Sequence, residues 1–81
     1  MTGNQLLADF SELKTYAKAN NIPTGAQQPT DAQAQQLVSD LVAKGLVPAG
    51  TTFTQFQAAA TAAVPSLTPA QMAQFQALMT Q

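Results

Sequence analysis

Apolar side chains recur at helical spacing in four stretches of this chain, separated by segments that carry proline and glycine. The stretch at about 3–20 places Leu6, Phe10, Leu13 and Ala17 on one stripe. The stretch at about 31–44 places Ala34, Leu37, Val38, Leu41 and Val42 at i, i+3, i+4, i+7 and i+8, the spacing of a helix with one buried face. At about 53–64 the inward positions are Phe56, Ala59, Ala60 and Ala63; at about 69–80 they are Met72, Phe75, Leu78 and Met79. No stretch alternates apolar and polar residues as a half-buried strand does, and β-branched residues are scattered. The pattern predicts an all-α fold, a compact bundle of four short helices with antiparallel neighbours where the loops are short. Beyond Met1, twenty large apolar side chains are spread over 81 residues. That is enough for one core, so residues 1–81 form a single domain.

The predicted starts share one device. A threonine followed three residues later by glutamine stands at Thr2/Gln5, Thr30/Gln33, Thr52/Gln55 and Thr68/Gln71. The threonine hydroxyl can accept from the third backbone N–H, and the glutamine can reach back to the cap N–H. Pro69 falls at a first helical position, where its missing N–H costs nothing. The stops are punctuated as well. Gly45 follows the second helix, where a left-handed residue is wanted. Ile22-Pro23, Val47-Pro48 and Val64-Pro65 follow three helix ends, and in each pair the apolar residue is expected to fold back over the core. The connection 21–29 is the longest; 65–68 is short and favours an antiparallel pairing of the last two helices. Thr30-Asp-Ala-Gln-Ala-Gln-Gln-Leu and Thr68-Pro-Ala-Gln-Met-Ala-Gln-Phe resemble each other. In an alphabet this rich in glutamine and threonine, chance is the simpler account.

Charge narrows the function classes. There are three lysines, no arginine, four acids and a net charge of −1, and charged residues make up 9% of the chain against about 25% in an ordinary soluble domain. Nucleic-acid binding needs several cations along one face, and an anionic membrane surface makes the same demand, so neither partner is expected. No apolar run approaches a membrane span, and the first ten residues lack the basic and apolar regions of a leader. Few charges also mean little repulsion between copies, which favours association.

Candidate chemistry is sparse. With no cysteine and no histidine, disulfides, zinc sites of Cys/His type and histidine-dependent catalysis are excluded. Asp9 and Glu12 lie three apart on the first helix and are read as a solvated face, with Asp9 beside the apolar stripe and Glu12 pointing away. Asp31, Lys18 and Lys44 complement helix dipoles, and Asp40 with Lys44 forms an i, i+4 pair. Ser11, Ser39 and Ser66 have no activating base. The four glycines form no phosphate loop. No window carries the carboxylates of a calcium loop. No enzyme activity, cofactor or metal is expected.

Recognition features remain. Leu7 and Tyr16 flank the main stripe of the first helix, and Met72 and Met79 supply adaptable apolar surface near the C-terminus. These four are the candidate protein-interface residues. The alanines from Ala58 to Ala63 suit a close helix crossing, and Gln27, Gln28, Gln33, Gln35 and Gln36 can donate and accept without charge. The expected function is a non-enzymatic structural or assembly protein that packs into a larger protein complex, a phage or virus particle component being the concrete version. The alternative is a small helical adaptor or inhibitor that binds one partner protein through an apolar groove. A carrier with an apolar cavity among Phe10, Phe53, Phe56 and Phe75 is a third option, against which the small core weighs.

Overall fold

The computed structural model describes residues 1–23 and 29–80. It contains helices α1 (Gly3–Ala19), α2 (Asp31–Ala43), α3 (Phe53–Ala63) and α4 (Pro69–Met79), with a 3₁₀ turn (Val64–Ser66) between the last two. The all-α architecture matches the expectation, and each helix ends one residue before its predicted limit. Of the glutamine belt, Gln27 and Gln28 lie outside the described residues.

All four starts are capping boxes. The threonine hydroxyl accepts from the glutamine N–H at 3.1 Å in α1 and 3.2 Å in the other three. The glutamine Oε1 accepts from the threonine N–H at 2.8 to 3.0 Å. Two helix donors that would otherwise be orphaned are satisfied each time.

The ends of α1 and α2 share a second device. Asn21 (φ 56°) and Gly45 (φ 74°) adopt the left-handed conformation. The next residue then turns back, with the Ile22 N–H donating to the Ala17 carbonyl and the Leu46 N–H to the Leu41 carbonyl, both at 2.9 Å. This is the Schellman closure, which delivers an apolar residue onto the helix it has just left. Ile22 is buried, and Leu46 and Val47 pack against the same cluster. The expected fold-back of the residue before proline is therefore met at Ile22 and Val47; Val64 packs on a second cluster.

The core has two parts. The larger joins Leu13, Ala17, Ile22, Leu37, Val38, Leu41 and Phe56 from α1, α2 and α3. The smaller joins Leu6, Ala60 and Ala63, with Phe75 of α4 packed at its edge. Phe10 touches both. Helix α2 buries Ala34, Leu37, Val38 and Leu41, whereas α4 has no buried residue. The expected inward stripe of α4 is corrected accordingly: Met72, Phe75 and Leu78 are only partly buried and Met79 is exposed. Helix α4 leans on α1. At that seam the Gln71 side chain donates to Asn4 Oδ1 at 2.9 Å while its Oε1 caps α4. Gly3 provides the clearance there, since a Cβ on it would meet the Gln71 amide at 2.6 Å.

Candidate functional site

A run of aromatic rings, Phe56 buried and the other three partly buried, joins α1, α3 and α4. Phe10 of α1 stands between Phe75 of α4 (centroids 5.3 Å apart, edge-on at 85°) and Phe56 of α3 (5.8 Å). Phe56 in turn neighbours Phe53 at 6.5 Å. Offset and edge-on pairs at these separations are each worth about 0.5–1.5 kcal/mol beyond the area they bury. The four rings share the lining of a groove of about 300 Å³. Leu13, Leu37, Ala60 and Val64 complete its apolar floor, and Met79 stands on its wall, 39% exposed. Among the described residues lining it, Lys14 alone is charged. The phenylalanines that the disfavoured carrier option would place around an internal cavity line an open groove instead, left because α4 covers the bundle only partly.

The candidate interface residues do not converge on one spot. Met79 lines the groove. Tyr16 packs against the larger core cluster, and its hydroxyl accepts from Gln36 Nε2 at 2.9 Å. Leu7 and Met72 are partly buried and line neither this groove nor the cleft described next.

Asp9 departs from expectation. It is 1% exposed rather than solvated, and both its carboxylate oxygens are buried with no hydrogen-bond partner among the described residues. Removal from water disfavours the charged form and raises its pKa to about 6, while the chain's terminal ammonium pulls weakly the other way. The reason lies in helix geometry. Leu6, Asp9 and Leu13 are spaced i, i+3, i+7, so the buried stripe runs directly through Asp9. That spacing was present in the sequence; the acidic side chain masked it. Asp9 lies at a cleft of about 340 Å³ beyond Phe56 from the groove. Leu46, Val47 and Pro48 of the α2–α3 connection form one wall, and Phe56 and Ala59 of α3 another. Gln5, Thr51 and Gln55 add polar groups, and Met1, 43% exposed, completes the lining.

Glu12 and Asp40 form a clasp with Lys44 between α1 and α2. Glu12 does not point into open solvent: its Oε1 lies 3.2 Å from Lys44 Nζ, and its side chain is 20% exposed. A hydrogen bond with Asp40 and the Lys44 ammonium hold the Glu12 carboxyl below its usual range. Burial and the neighbouring Glu12 hold Asp40 above its own, and one Asp40 oxygen is left without a partner. The expected Asp40–Lys44 pair is thus replaced by an interhelix Lys44–Glu12 pair, with Asp40 close enough to feel both charges. None of the three lines either cleft. Among the described residues no group of three acidic, cysteine or histidine side chains gathers to hold a metal ion, and no helix is long and apolar enough to cross a membrane. No protein-family model matches the chain, and no curated protein or solved structure matches it.

Proposed function

We propose that the chain is a non-enzymatic binding module that docks an apolar segment of a partner protein in its phenylalanine groove. The observation that carries this is the groove lining: four aromatic rings and the exposed Met79, with Lys14 as the charged residue beside them. Such a lining offers dispersion and desolvation rather than hydrogen bonds, so it selects apolar side chains. An amphipathic helix presents these at i, i+3, i+4 and i+7. Methionine adapts to different shapes, which suits a docking wall. A photoreactive side chain at Met79 is expected to crosslink one partner from the native source, one that the same group at exposed Gln35 does not trap. Met79→Glu, on an exposed position, is expected to abolish capture without unfolding the chain. Identical products from both positions, or none from Met79, would refute the groove as the docking face.

The sparse charge favours a second reading, in which the partner is another subunit of a larger assembly, such as a virus particle. A net charge of −1 and 9% charged residues leave little to hold copies apart. Light scattering over a concentration series separates the two. Mass that grows with concentration supports the assembly component, and a strict monomer supports the single-partner adaptor.

A further inference from the structure

We infer that the cleft beside Asp9 binds a small alkylammonium group, with the Asp9 carboxylate as its counter-ion. This site is separate from the phenylalanine groove and does not depend on its role. Two independent features point to a ligand. One is the cleft itself, about 340 Å³, a volume at the lower end of small-molecule sites. The other is the carboxylate beside it, 1% exposed and with neither oxygen hydrogen-bonded. A buried acid without partners is costly, and few proteins keep one with no use for it. Near neutral pH that acid is ionised in an apolar setting, and a cation with its own N–H donors is the group that satisfies it.

The walls decide which cation. Leu46, Val47, Pro48, Phe56 and Ala59 present hydrocarbon that fits an alkyl stem, while Gln5, Thr51 and Gln55 supply polar groups for the head. The cleft has Asp9 as its charged side chain; the other charge acting on it is the chain's terminal ammonium, which is not hydrogen-bonded to either carboxyl oxygen. The Met1 side chain is exposed and part of the same lining. The ammonium then donates to Asp9 while the stem lies along Val47 and Phe56. The same chemistry is offered by a free alkylamine and by a lysine side chain.

The test is an amide-resolved NMR titration of the full chain at pH 7.5 with n-butylammonium chloride, against sodium chloride and n-butanol as controls. Saturable shifts are expected at Asp9 and along 46–51. Butanol should bind about tenfold more weakly or worse, the worth of one charge-assisted hydrogen bond. Asp9→Asn should bring butylammonium down to the butanol level. In the unmodified chain, lowering the pH below 5 should do the same, because Asp9 then holds its proton while the ligand stays charged, so the test stands even if the variant folds poorly. Nα-acetyl-lysine methylamide distinguishes the sources: tighter binding than butylammonium identifies a lysine side chain, and weaker binding a free amine. Equal binding of butanol and butylammonium, unchanged binding at low pH, or no saturable shift with either ammonium probe would overturn the assignment.

Discussion

Helices α2 and α4 begin almost alike and end up differently. Thr30 and Thr68 open each with the same capping box, and both helices carry alanine and glutamine before a large apolar residue, Leu37 in one and Phe75 in the other. Yet α2 buries four side chains between α1 and α3, and α4 buries none. Local sequence therefore sets where a helix starts, while burial depends on how many neighbours the chain brings to its apolar face. Helix α2 has a wide stripe of leucine and valine and two packing partners. Helix α4 also gathers its large residues, Met72, Phe75, Leu78 and Met79, on one face, but that face leans on α1 and stays only partly buried. The uncovered remainder is the wall of the groove.

The contrast breaks most visibly under truncation. Leu41→Ala removes a fully buried side chain from α2, and such changes cost about 2–5 kcal/mol. Leu78→Ala in α4, partly exposed, is expected to stay below about 1 kcal/mol. Urea unfolding of both variants gives the comparison, and equal losses would place α4 in the core.

Asp9 gives the next largest effect, and its sign is fixed by burial. Below pH 3.8 the carboxyl is protonated in both the folded and the unfolded chain and costs nothing as a charge. Between 3.8 and about 6 the unfolded chain ionises while the folded one keeps its proton, so stability falls as pH rises through that window. At about 1.4 kcal/mol per pH unit, the loss comes to about 3 kcal/mol by neutral pH. Asp9→Asn should flatten the stability profile between pH 4 and 6 relative to the unmodified chain. Parallel profiles would show that Asp9 is hydrated in the folded state.

The smallest effect sharpens the comparison of caps. Thr30→Ala and Thr68→Ala each remove one side-chain acceptor, worth about 1 kcal/mol to the helix. In α2 that loss should appear in global unfolding, because the helix opens only when the core does. In α4 it should appear as local fraying, with the global transition barely moved.

What could be read from the residues follows the same division. Helix starts rest on contacts three residues apart, so Thr-x-x-Gln located all four. The fold-back of Ile22 and Val47 rests on turn geometry, equally local, although the left-handed Asn21 that closes α1 carries no glycine to announce it. The core face of α2 was plain because its apolar residues are large and contiguous. Three features depend on distant parts of the chain and differ from what local sequence predicts. Asp9 is buried because the α2–α3 connection and α3 close over it. Lys44 reaches Glu12 rather than Asp40 because α1 crosses beside it. Helix α4 is shallow because, among the described residues, no further element covers its outer face. Of the candidate interface residues, Met79 lies on the groove, whereas the aromatic run that makes the groove joins α1, α3 and α4 and is not a pattern within any one helix.

Native-state hydrogen exchange measures the division between core and wall most directly. The α2 amides around Leu37 to Leu41 should exchange only through global unfolding, with a denaturant dependence matching the whole chain. The α4 amides around Phe75 to Leu78 should exchange orders of magnitude faster, through openings almost insensitive to low denaturant. If α4 is protected as strongly and with the same dependence as α2, the helix belongs to the core, and an open groove along its inner face is contradicted.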